Sequence, residues 1–227
     1  MTATPLANPH DELTHLINET GNKELECREF VSLSRELFVQ NTAATNILHE
    51  ESEYRGHTGD SDLIVICEQS SGGINTRQAY VWEIKAPQCY LFEKCNNNRV
   101  RPTADFIKAE NQLLHYYEEL KSTQFVSEFG LNHPENVKLG GILIGNTNTL
   151  VRGSYDTSTS LRLYTRAHEL RQRYLYGHSN IKIMIWNDVL DYLKVAEPIT
   201  KSSEGYMESI SLSSGSKGDI FSSEGSI

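Results

Sequence analysis

Asp62, Glu83 and Lys85 are residues whose types and spacing can do chemistry together. Glu83 and Lys85 stand two apart in Ala79-Tyr-Val-Trp-Glu-Ile-Lys85. On a strand their side chains leave one face while Ile84 turns to the other. Asp62 opens a second strand-forming run, Asp62-Leu-Ile-Val-Ile-Cys67, and pairing the two runs as a hairpin brings its carboxylate beside Glu83. Carboxylates converging on a hard cation, with an ammonium that orients water or offsets developing charge, are what metal-assisted hydrolysis of a phosphodiester requires. Glu-x-Lys alone is common, and a salt-bridged solvent face uses the same residue types. The conjunction of both strands with the helix after them favours chemistry. Pro87 ends the strand just past Lys85 and leaves the pair near an accessible strand end.

The following helix is predicted over Thr103 to Lys121, capped by Thr103, with Phe106, Leu113, Tyr117 and Leu120 inward. Gln112 and Tyr116 lie four apart on it, with Lys108 one turn earlier, so the three share a face that can look onto the hairpin. There Gln112 would orient water or Lys85, and Lys108 and Tyr116 would contact a phosphate; a boundary strip of an ordinary helix is the alternative.

Other elements must position these groups. Leu25, Phe30, Leu33, Leu37 and Phe38 predict one amphipathic helix from Lys23 to Gln40, with a shorter helix from Pro9 before it. Ser70-Ser-Gly-Gly73 predicts a long hairpin tip. Lys138 to Ile144 and Ile181 to Trp186 read as buried strands, Ser160 to Tyr174 as a basic helix, and Asp188 to Lys194 as a last helix. The order predicts an α/β fold, a mixed β-sheet flanked by helices. Residues 1–22 read as an N-terminal extension, 23–196 as the domain, and 197–227 as a disordered Ser/Gly-rich tail.

The chain has 227 residues, enough for one substantial core, with a formal net charge of −9. That charge weighs against nucleic-acid binding, but its distribution matters more than its total. From Arg152 to Lys182 there are six bases against two acids, with Tyr155, Tyr164, Tyr174 and Tyr176 interleaved. Arg162, Arg166, Arg171 and Arg173 in that strip are candidates to face phosphates, the alternative being a solvated helix face. Cys27, Cys67, Cys89 and Cys95 lack metal-site spacing and read as buried or incidental thiols. No apolar run is long enough for a membrane helix and Met1 to Pro5 is no secretory signal, which predicts a cytoplasmic protein without membrane contact. Gly140 to Thr147 fails as a phosphate loop because Asn146 stands where lysine is needed, and neither H-E-x-x-H nor G-x-S-x-G occurs.

Asp62, Glu83-Ile-Lys85 and Gln112-Leu-Leu-His-Tyr116 together resemble the PD-(D/E)xK nuclease superfamily. Val81-Trp-Glu-Ile-Lys-Ala-Pro87, Gly140-Gly-Ile-Leu-Ile-Gly145 and Ile183-Met-Ile-Trp-Asn-Asp-Val-Leu190 make it similar to the nuclease domain of Shedu-type anti-phage defence proteins, over about residues 25–195. The resemblance implies a restriction-endonuclease-like sheet and a metal-dependent DNA endonuclease. It implies that Asp62, Glu83 and the Ile84 carbonyl bind Mg²⁺ or Mn²⁺, that Lys85 activates water and stabilises the transition state, and that Gln112 supports the arrangement. It also implies a further acid from the helix before the hairpin, for which Glu36 is the candidate. Ser61 replaces the usual proline before Asp62, and Asp60 is a competing ligand. A homo-oligomer, and a sensor or activator partner, are further expectations of the resemblance. A nuclease-like module that binds without cutting is the alternative.

Overall fold

The computed structural model describes residues 8–40, 42, 44–55, 60–95, 99–153 and 156–195, with the side chains of 52, 53, 55 and 60 excepted. The predicted tail at 197–227 lies outside these residues, as does Tyr155.

The sheet is mixed and lies between helices. Strands β1 (Ala44–Arg55), β2 (Asp60–Ser71) and β3 (Ile74–Ile84) form an antiparallel meander. Strand β3 then pairs in parallel with the later strand Val137–Leu143, which pairs in parallel with Lys182–Met184, giving a five-stranded sheet in chain order. The predicted long tip is instead a tight turn. Ser71 pairs with Ile74, and Gly72 and Gly73 between them have φ of 59° and 81°. Positive φ at both central residues is what a two-residue turn needs to follow the twist of its strands, and glycine supplies it without strain.

Small strands β4 (Phe92–Lys94) and β5 (Val100–Pro102) lead into α4 (Ala104–Glu119), after the N-terminal helices α1 (Pro9–Asn18), α2 (Glu24–Leu33) and α3 (Arg35–Phe38). Next come α5 (Thr123–Glu128), β6 (Val137–Leu143), β7 (Val151–Arg152), α6 (Thr157–Arg171), β8 (Lys182–Met184) and a last helix, α7, over 186–195. Strands β5, β4 and β7 form a separate three-stranded sheet that the sequence pattern did not announce. Thr103 caps α4 by accepting the Phe106 amide, as predicted. No helix among the described residues is long and apolar enough to cross a membrane.

The β2 run Leu63 to Cys67 is apolar throughout because both its faces are buried. Ile64 and Ile66 pack with Val81, Phe106, Leu113 and Phe125 on the α4 face. Leu63, Val65 and Cys67 pack with Trp82, Phe38 and Trp186 on the other. Leu13 and Ile17 of α1 join that second cluster, so the segment expected as an extension feeds the core.

The single helix predicted over Lys23 to Gln40 is broken at Ser34. This buried residue leaves helical geometry (φ −123°, ψ 22°), and its hydroxyl donates to the Phe30 and Val31 carbonyls. Cys27, Phe30 and Val31 consequently face inward, while Leu25 and Leu33, predicted inward, are 70% and 53% exposed.

Gly140 and Gly141 of β6 make room for Trp82. A Cβ on Gly140 would lie 2.2 Å from the indole Nε1, and one on Gly141 would lie 2.1 Å from the Lys182 carbonyl oxygen. Replacing Gly141 by alanine should therefore cost more than about 2 kcal/mol, at the upper end of overpacking. Gly72→Ala, strained in φ but without neighbours, should cost about 1 kcal/mol. Urea unfolding of the two variants checks the order, and equal losses would contradict the close packing at Trp82.

Candidate active site

The candidate site sits where β3 leaves β2. Pairing between these strands runs as far as Leu63 with Trp82, one step short of Asp62 and Glu83. Beyond that point β2 stays on β1 through Ser61 and Tyr54, and β3 stays on β6 through Glu83 with Ile142 and Ile84 with Leu143. Side chains fill the fork. Asp62 Oδ2 accepts the Ile84 amide at 2.9 Å, so a carboxylate continues the hydrogen bonding.

Glu83 shares Val81's face of β3, toward α4, and is 0% exposed. Neither of its oxygens accepts a well-directed hydrogen bond, although the Lys85 ammonium stands 2.5 Å from Oε1. Lys85 is also 4.0 Å from Asp62 Oδ2. Burial, and then the charge of Asp62, push the Glu83 carboxyl up to about 8 against the opposing pull of Lys85. Burial disfavours the Lys85 charge too, but the neighbouring Glu83 and Asp62 carboxylates outweigh it and raise its pKa. Lys85 therefore stays protonated while Glu83 ionises reluctantly.

Sequence reasoning missed Arg28 and Glu24. Arg28 Nη2 donates to Asp62 Oδ1 at 2.6 Å and to Glu24 Oε1 at 3.0 Å, and all three side chains are mostly buried. The available signal was the i,i+4 spacing of an acid and a base at the start of α2. Glu36, the candidate acid of the preceding helix, is not in this network. The break at Ser34 puts it on α3, where it accepts from the Tyr192 hydroxyl at 2.7 Å and pairs with Arg35. The carboxylate that α2 contributes is Glu24. The side chain of Asp60 lies outside the description.

Helix α4 faces this cluster. Gln112 Nε2 donates to the Tyr116 hydroxyl at 3.4 Å. Burial raises the Tyr116 phenol, Gln112 opposes, and the charges of Glu83 and Asp62 add to the rise, which puts the phenol within their field. The Tyr116 ring itself is buried. Lys108, Gln112 and Tyr116 share an open groove of about 670 Å³ with Ile107, Asn111 and His115.

The basic strip does not form one surface. Arg162 and Arg166 line a separate cavity of about 480 Å³ with Arg99, Leu163 and Leu170, and Arg173 is exposed in the π-helical turn Gln172–Tyr176 after α6. Arg171 is engaged inside the protein rather than offered to phosphate. It donates to Glu110 and, at 2.7 Å, to the Tyr176 hydroxyl, which itself donates to Glu110. Tyr164 and Tyr176 belong to the core.

Among the described residues no group of three or more His, Cys, Asp or Glu side chains is arranged to hold a metal ion. The donors on hand for a hard cation are Asp62, the Glu83 oxygens, which accept no well-directed hydrogen bond, and the backbone at Ile84, with Glu24 one arginine away. A buried carboxylate beside a second carboxylate fits such an ion in chemistry. Compared with protein-family models and with curated proteins, the chain matches none.

Two measurements test this geometry. Below pH 4.5 Glu83 is protonated folded or unfolded; as pH rises toward about 8 only the unfolded chain releases the proton, so folding stability falls across that window. In EDTA, Glu83→Gln should melt higher than the wild type by a margin that grows from pH 5 to pH 8 and then levels off. The scale is about 2–4 °C per kcal/mol for a chain of this length. Arg171→Ala should lower stability by about 3 kcal/mol, since it strands a mostly buried carboxylate, whereas Arg162→Ala and Arg166→Ala should stay within about 0.5 kcal/mol. Thermal melts distinguish them.

Proposed function

We propose that the chain is a metal-dependent nuclease of the PD-(D/E)xK type, with a restriction-endonuclease-like core, that hydrolyses nucleic-acid phosphodiester bonds. DNA is the substrate in this reading, and Shedu-type anti-phage defence in the cytoplasm is the setting. The observation that carries it is the fully buried Glu83 carboxylate, ion-paired with Lys85 and beside Asp62, in the fork between two strands. The mixed five-stranded sheet between helices supports the same reading.

Each residue has a physical role. Asp62 and Glu83, with the Ile84 carbonyl, would hold Mg²⁺ or Mn²⁺. Such an ion supplies Lewis-acid polarisation of the phosphodiester and an acidified water. Lys85 carries a fixed positive charge between the two carboxylates and offsets negative charge that develops on a phosphate oxygen in a buried setting. Gln112 holds the Tyr116 hydroxyl on the α4 side. Lys108 in the α4 groove, and Arg162, Arg166 and Arg173 on the α6 side, are the cations left to meet a backbone once Arg171 is assigned to the core. A homo-oligomer that sets two centres on one duplex, and a sensor or activator partner, belong to the same proposal.

A second reading, a nuclease-like module that binds without cutting, is favoured by one contact. Arg28 already occupies Asp62 Oδ1, so the cluster has internal cations without a metal. Incubation of linear, circular and single-stranded DNA, and of RNA, with Mg²⁺, Mn²⁺ or EDTA separates the two. Metal-dependent cutting reduced at least about 10²-fold in Glu83→Ala and Lys85→Ala, with folding intact, is expected. Binding without cutting under every condition would favour the silent module, and neither binding nor cutting would sink both readings.

A further inference from the structure

Resting on the metal-site reading above, we propose that Arg28 is a displaceable internal cation that holds Asp62 while no divalent ion is bound and withdraws from Asp62 toward Glu24 when one binds. One guanidinium nitrogen lies 2.6 Å from Asp62 Oδ1 and 3.0 Å from Glu24 Oε1. The two carboxylates hold it differently. Glu24 is on Arg28's own helix, four residues earlier, so a move toward Glu24 needs only side-chain torsions. Asp62 belongs to the hairpin, and its other oxygen is fixed by the Ile84 amide. Oδ1 is therefore the Asp62 oxygen whose partner comes from a long, rotatable side chain.

Charge makes the two occupants exclusive. The side chains of Arg28, Glu24 and Asp62 are 19%, 20% and 11% exposed, so water screens little between them. A divalent ion shared by Asp62 and Glu83 would meet a guanidinium at hydrogen-bond distance from the same carboxylate. Like charges that close in a poorly screened pocket repel strongly. Lys85 pairs with Glu83 at 2.5 Å, while the single guanidinium of Arg28 is shared by Glu24 and Asp62. The ion escapes that repulsion only after Arg28 has withdrawn, so the latch scales apparent metal affinity by the fraction of molecules in which it is open.

The test is Mn²⁺ binding without nucleic acid, read from free-ion EPR and from the fluorescence of Trp186, whose indole donates to the Lys85 carbonyl at 2.8 Å. Arg28→Gln should bind Mn²⁺ about tenfold more tightly than the wild type, the scale of one net charge-assisted hydrogen bond no longer given up. Arg28→Lys, which keeps the charge on a shorter side chain that falls short of Asp62, should also tighten binding, and it carries the test if Arg28→Gln does not fold. Without metal, Arg28→Gln should melt below the wild type, and saturating Mn²⁺ should raise its melting temperature by more.

Tightening in Arg28→Gln with Arg28→Lys unchanged would mark a distant charge and overturn the latch. Unchanged or weaker binding in both, with Glu83→Gln abolishing it, would overturn the latch and leave the metal site standing. No Mn²⁺ uptake by the wild type or by either Arg28 variant would overturn both.

Discussion

A carboxylate sealed from water with no directed hydrogen bond is the constraint on which the rest of the centre depends. Glu83 cannot lie within an ordinary antiparallel ladder, since a buried charge there would have nothing to meet it. It lies one step past the last β2–β3 pair, where the strands diverge and other groups enter. Lys85 comes from its own strand, Asp62 from the neighbour, and Arg28 and Glu24 from a helix on the far side of the fork. Strand β3 keeps its course there because β6 continues to hold it: the Lys85 amide donates to the Leu143 carbonyl at 2.8 Å. Adhesion to β6 and release from β2 together make the pocket.

Much of this arrangement was legible in the chain. Period-2 logic on β3 put Glu83 and Lys85 on one side and Ile84 on the other, and four-residue spacing put Gln112 beside Tyr116. The α4 cap, the two late buried strands and the last helix followed from local patterns, because each is marked by residues within a short stretch of chain. What escaped was set by a side chain that interrupts its own helix or by distant contacts. Ser34 bends the helix region by bonding its own preceding turn, so a periodicity carried across it assigned Leu25, Leu33 and Glu36 to the wrong surroundings. Strand β1 carries polar and charged residues along much of its length, and only its pairing to β2 identifies it. Arg28 finds its partner, Asp62, 34 positions along the chain, beyond any local pattern.

The basic strip of α6 teaches a related lesson about charge. Counting arginines treats them as equivalent, but the fold sorts them. Arg171 lies over Phe106 and Tyr176 and is tied to Glu110 of α4, which makes it part of the joint between two helices. That joint closes at a π-helical turn, where the widened backbone brings Tyr176 in to share Glu110. Arg162 and Arg166 stay on an open surface. The helix that carries Gln112 and Tyr116 is thus steadied at Glu110, two residues before Gln112, and an excess of base in the sequence becomes partly architecture.

The Trp186 indole reaches the Lys85 carbonyl across 101 positions of chain, and the Trp186 amide donates to the Gly145 carbonyl. Trp186 begins the last described helix. During synthesis the hairpin carrying Asp62, Glu83 and Lys85 leaves the ribosome long before this buttress exists, and β3 has no β6 to follow until residues 137–143 have emerged. A partly made chain therefore holds Asp62, Glu83 and Lys85 before the frame that sets them in register has been added.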